Sequence, residues 1–141
     1  MSGSGGVPAK DPARWPEGLP MPNVEQWRDS VRTEINKTRD LPFKTGRWSP
    51  TNPGRYTLER ACALVNAIRV GDLPVPLTSA GPDGVLCLQW LMPDRKLSFY
   101  VYDDGLIEYF FATPTRPGAE GEIKERDPIE SVNEILQLFV E

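Results

Sequence analysis

The chain has 141 residues, with 16 basic and 20 acidic side chains, a formal net charge of −4, no histidine and two cysteines. That length fits one domain, and 39% hydrophobic residues supply one modest core. The acidic balance argues against a general nucleic-acid coat, and the missing histidine removes Ser-His-Asp and Cys-His catalysis and the commonest metal ligand.

Met1-Ser-Gly-Ser-Gly-Gly6 has no apolar run of the kind a secretory signal needs, so residues 1–22 read as a disordered leader. No stretch approaches the roughly 18–20 apolar residues of a membrane helix, so no membrane partner is expected. Cys62 and Cys87 both sit inside apolar patterns, where free cysteine behaves as a small hydrophobe. A buried reduced pair and a cytoplasmic location are therefore expected, with no metal and no cofactor.

Composition shifts near residue 54. Residues 1–54 carry eight basic and six acidic side chains and eight of the 15 prolines, whereas residues 55–141 carry eight basic and 14 acidic ones. The range 23–54 reads as an arm holding one amphipathic helix and an irregular aromatic loop, and 55–141 as a single α+β domain. Within the arm, Asn23 to about Lys37 is predicted helical. Asn23 can cap it, Gln26 completes a capping box, and Val24, Trp27, Val31 and Ile35 fall on one face. That stripe can cover the chain's own core or a partner.

Residues 38–56 contain Leu41-Pro-Phe43, Trp48-Ser-Pro50 and Asn52-Pro-Gly54, which is turn chemistry. Arg39, Lys44, Arg47 and Arg55 alternate with Phe43 and Trp48, a pattern that can track single-stranded nucleic acid by charge and stacking. A solvated loop anchored by two rings is the plainer reading in an acidic chain.

The second helix is expected to start with Thr57 as its cap and to run to about Val70, stopping at Gly71. Leu73-Pro-Val-Pro-Leu77 fits an edge position. Three strands follow, Val85–Met92, Lys96–Tyr102 and Leu106–Phe111, joined by Pro93-Asp-Arg95 and Asp103-Asp-Gly105 turns short enough to force an antiparallel meander. Leu97, Phe99 and Val101 alternate with Ser98, Tyr100 and Tyr102, and Ile107, Tyr109 and Phe111 with Glu108 and Phe110. The second face therefore carries considerable aromatic surface. Residues 112–121 read as a proline- and glycine-rich loop. A last helix starts at Asp127-Pro128 with Ile129, Val132, Ile135, Leu136 and Phe139 as its buried stripe. The expected fold class is α+β: a three-stranded antiparallel meander, with room for a fourth strand, packed against helices.

Val75-Pro76, Pro82-Asp-Gly84, Leu88-Gln-Trp90, Leu97-Ser-Phe-Tyr-Val101 and Asp104-Gly105 together resemble a loose group of small bacterial proteins. These share a helix, a Pro-Asp-Gly turn, a strand ending in Leu-x-Trp, and a second Asp-Gly turn. The resemblance spans about residues 56–111. It implies a prokaryotic origin and no established activity, so it assigns no functional residue.

Two constellations bear on chemistry. Pro93-Asp94 and Glu122-Ile-Lys124 match the spacing elements of a metal-dependent nuclease, in which two carboxylates hold a divalent cation and the lysine steadies the attacking water. Asp94 falls in a turn, however, and Glu122 does not end an apolar strand. Asp103, Asp104 and Glu108 form the densest carboxylate group, which the following Gly105 marks as a hairpin turn. No catalytic constellation emerges, and the chain is read as non-enzymatic. The expectation is an interaction or accessory protein of a prokaryotic assembly, such as a subunit, an antitoxin or immunity protein, or a defence regulator. Trp27, Val31, Phe43, Trp48, Tyr100 and Tyr102 are expected to contact a partner protein, one with a basic or nucleic-acid-binding surface. The alternatives are the nuclease built on Asp94, Glu122 and Lys124, and a single-strand binder using the basic arm.

Overall fold

Asn23 starts the first helix as its sequence predicts: its side chain accepts from Glu25 N at 2.9 Å, and Gln26 Oε1 accepts from Asn23 N at 3.1 Å. Both bonds satisfy N–H groups that the first helical turn leaves without partners. The computed structural model describes residues 20–40, 53–114, 118–123 and 129–141. Within them α1 spans Val24–Lys37, α2 Arg55–Asn66 and α3 Ile129–Val140, and a 3₁₀ turn follows α1 at Thr38–Asp40. The first 19 residues, Lys44, Arg47 and Asp127-Pro128 lie outside the described residues. No described helix is long and apolar enough to cross a membrane.

The sheet has five strands, two more than the clear meander expected: β1 Leu77–Ala80, β2 Leu86–Met92, β3 Arg95–Val101, β4 Ile107–Ala112 and β5 Ala119–Ile123. They lie in chain order and every neighbouring pair is antiparallel. The central three match the predicted meander within a residue at each end. Their short turns leave no other pairing. At Asp103-Asp104-Gly105 the Gly105 N–H bonds Tyr102 O at 3.1 Å and Gly105 takes φ +92°, a conformation that glycine adopts without a Cβ penalty.

β1 extends the sheet beyond Leu73-Pro-Val-Pro-Leu77. Pro74 and Pro76 cannot donate to a ladder, so pairing begins only at Leu77, opposite Gln89. β5 corrects the expected loop over 112–121. Its sequence Ala-Glu-Gly-Glu-Ile has little strand propensity, yet it pairs with the free side of β4 from Ile107–Ile123 to Phe111–Ala119. Gly121 lies opposite Tyr109, and a Cβ there would sit 2.9 Å from Tyr109 Cε1. The missing side chain seats the tyrosine ring, an arrangement known to offset the weakness of an edge glycine.

α2 also departs from expectation. It begins three residues early, with Gly54 in the cap position, and Thr57 is a buried helical residue, not a cap. It ends at Asn66, well before Gly71, and tertiary partners bond carbonyls at and just beyond this end. Arg28 Nη1 donates to Val65 O at 2.5 Å and Nη2 to Ile68 O at 3.3 Å. Asn133 of α3 donates to Ala67 O at 2.9 Å and accepts from Arg69 N at 2.6 Å. Cationic and amide donors at this end satisfy carbonyls that the helix cannot.

The three helices share one core with one face of the sheet. Val24, Trp27, Val31 and Ile35 of α1, Leu58, Ala61, Leu64 and Val65 of α2, and Val132, Leu136 and Phe139 of α3 bury against Leu86, Leu88, Trp90, Leu97, Phe99, Val101 and Ile107. The helix expected in an arm is thus part of the body. Its start is tied there by main-chain bonds, from Val24 N to Gly71 O at 2.8 Å and from Leu73 N to Pro22 O at 3.1 Å.

Candidate partner-binding face

Successive residues of a strand point to opposite faces. Since Leu97, Phe99 and Val101 of β3 enter the core, Lys96, Ser98, Tyr100 and Tyr102 lie on the outer face. On β4 the same alternation puts Ile107 inside and Glu108 and Phe110 outside. The register sets Ser98 opposite Phe110 and Tyr100 opposite Glu108. These six side chains line one hollow of about 380 Å³.

Its floor is Ser98, 2% exposed, whose hydroxyl accepts from Gln89 Nε2 at 3.1 Å. Tyr100 and Phe110 stand edge to face with ring centroids 5.4 Å apart, the favoured arrangement for ring quadrupoles. Tyr102 Oη donates to Glu108 Oε1 at 2.5 Å. That bond to the carboxylate, with some burial, pushes the Tyr102 phenol up to about 12. Tyr100 is raised too, chiefly by burial and then by the Cys87 sulfur opposite it. Burial pushes the Cys87 thiol up to about 11, against the pull of the Tyr100 and Ser79 hydroxyls. Phe110 is 39% exposed, and Leu77, on the same face of β1, is 45% exposed. The register runs Leu77–Gln89–Ser98–Phe110 across four strands, so these two exposed side chains stand about 14 Å apart on one face.

Of the six residues expected to meet a partner, Tyr100 and Tyr102 come together here. Trp27 and Val31 do not: Trp27 is 4% exposed, donates its indole N–H to Leu73 O at 3.0 Å, and is core together with Val31. Their helical spacing identified a buried stripe, and the stripe is covered by the chain's own sheet. Phe43 and Trp48 lie outside the described residues. The strand alternation also carried Phe110, Glu108 and Lys96, which were legible as outer-face residues but not as one hollow, because that depends on the β3–β4 register.

Cys62 and Cys87 are free and only partly buried, a correction to the expected buried pair, and they lie on opposite sides of the sheet. Asp94 is held bidentately by Arg95, at 3.1 Å for each of two bonds, and this partner lowers its pKa. Arg95 also donates to Phe139 O at 2.7 Å. Glu122 lies opposite Glu108, which lies opposite Tyr100. At about 3.3 Å per residue, that puts it roughly 20 Å along the strands from Asp94 and two strand spacings, about 10 Å, across. The two carboxylates of the nuclease alternative are therefore not brought together, and Lys124 lies outside the described residues. Among the described residues no three Cys, Asp or Glu side chains are placed to share a metal ion. Asp104 of the Asp103-Asp104 pair accepts from Leu106 N at 3.0 Å, as a turn residue does. A second hollow, of about 610 Å³, lies between the end of α1 and the start of α2, with Arg39 and Arg55 at its rim. Arg55 is paired with Glu59 at 3.1 Å. No protein-family model matches the chain, and neither a curated protein nor a solved structure matches it significantly.

Proposed function

We propose that the chain is a small non-enzymatic interaction protein that docks a partner protein on the outer, aromatic face of its sheet. The observation that carries this reading is the hollow formed by Tyr100, Tyr102, Glu108 and Phe110 on the face opposite the core, a face on which Phe110 and, three strands away, Leu77 are exposed. Aromatic side chains are enriched at the centres of protein contacts because they bury large areas with little loss of rotamer freedom. The separation of Asp94 from Glu122 weighs against the nuclease alternative built on those two residues. An accessory subunit of a prokaryotic assembly, an antitoxin or immunity protein, and a defence regulator are the roles such a face would serve, with a basic surface as its complement.

The test is capture from a native lysate with the full chain and with Phe110→Lys, after nuclease treatment, with circular dichroism as the control for folding. One stoichiometric protein held by the parent chain and lost by the folded variant is the expected result. Retention of the same protein by Phe110→Lys, or recovery of nucleic acid alone, would overturn the reading.

A further inference from the structure

The outer hollow is aromatic along its walls and charged at its two ends. Tyr100 and Phe110 form the walls, and at one end Tyr102 holds Glu108 Oε1. That bond fixes the carboxylate beside the rings and leaves Oε2 with its acceptor capacity. Further acidic residues lie beside the hollow, on the neighbouring strand and the adjoining turn. Glu122 is directly opposite Glu108, Glu120 is opposite Phe110, and Asp103 and Asp104 form the adjoining turn. At the other end Lys96 is four residues from Tyr100, about 13 Å along β3.

Aromatic rings attract a cation held over their faces, and a nearby carboxylate adds a direct charge and a hydrogen-bond acceptor. We propose that this hollow receives an arginine or lysine side chain of the partner protein, its cationic head at Glu108 and its aliphatic stem along Tyr100 and Phe110. The inference rests on the docking reading above and names the chemistry of the docked residue. Arginine fits better than lysine, because its planar guanidinium stacks on rings and bonds a carboxylate in a fixed fork. A protein side chain suits the site better than a small free cation, since the Tyr100 and Phe110 rings offer an apolar wall to its aliphatic stem. Lys96 faces the same space from the far end and opposes cation entry there, so the head group is directed to Glu108.

The experiment titrates the full chain with short capped peptides that differ in one central residue: arginine, lysine, citrulline or glutamate. The readouts are the affinity and the ring resonances of Tyr100, Tyr102 and Phe110. The arginine peptide is expected to bind saturably and shift those resonances, with the citrulline peptide about tenfold weaker or more, the usual value of a hydrogen bond to a charged group. Glu108→Gln should weaken the arginine peptide by a similar factor, and Lys96→Met should leave it equal or tighter. Three results would overturn the inference: equal binding of citrulline and arginine, preference for the glutamate peptide, or no saturable shift. Any of them combined with partner loss in Phe110→Lys would leave the docking face standing and remove only the cation. Retained capture by Phe110→Lys removes the face itself.

Discussion

Tyr102 and Glu108 show how much one residue's environment changes its chemistry. The short bond between them favours the neutral phenol, so the folded Tyr102 releases its proton near 12, above the ordinary value of about 10. A raised folded pKa means that the contribution to stability is complete below about pH 10 and is lost as the pH rises through about 12. In an alkaline ultraviolet titration Tyr102 is therefore expected to ionise near pH 12, with Tyr100 also above the ordinary value, and Tyr102→Phe should remove the step near 12. The same substitution should cost about 0.5–1 kcal/mol at neutral pH in denaturant unfolding, at the low end because solvent reaches both groups. A step near 12 that survives the substitution would assign it elsewhere. At this scale the alternation of residues 96–102 already placed Tyr100 and Tyr102 on a second face. It could not show that Glu108, next to an Asp-Gly turn, holds a tyrosine.

At the scale of elements, the end of α2 is met by long-range donors. Asn133 of α3 bonds both Ala67 O and Arg69 N, where α2 has stopped. Asn133→Ala is expected to lower global stability by about 1–3 kcal/mol, since a carbonyl and an N–H both lose their partner. A change under about 0.5 kcal/mol, the ordinary size of a surface substitution, would mean that water replaces both bonds. The capping box of α1 was legible because all of its bonds are made within four residues. The end of α2 was not, because Arg28 and Asn133 lie 37 and 66 residues from the carbonyls they bond. β5 was hidden for a related reason. Its five residues carry no strand pattern, and β4 supplies the template and Tyr109 the ring that its glycine accommodates.

For the whole molecule, the question is whether residues 55–141 stand alone. The core takes Val24, Trp27, Val31 and Ile35 from α1. Removing four large buried side chains withdraws about 2–4 kcal/mol each, together comparable with the roughly 5–15 kcal/mol that stabilises a typical domain. A chain starting at residue 53 is therefore expected to lose its cooperative thermal transition and near-ultraviolet dichroism. A sharp transition in that fragment would instead establish 55–141 as an independent domain, with α1 as an attachment.

Sequence alone determined what depends on neighbours within a few residues. Asn23 and Gln26 start α1, Asp-Gly and Pro-Asp turns force β2, β3 and β4 into a meander, and strict alternation divides core from outer face. Tertiary structure decided what depends on partners far along the chain. Trp27 reads the same whether its stripe meets a partner or the chain's own sheet, and only packing made it core. Likewise Tyr100, Tyr102, Glu108 and Phe110 are ordinary strand residues until the β3–β4 register sets them around one hollow, because a period of two specifies a face and not the opposite strand.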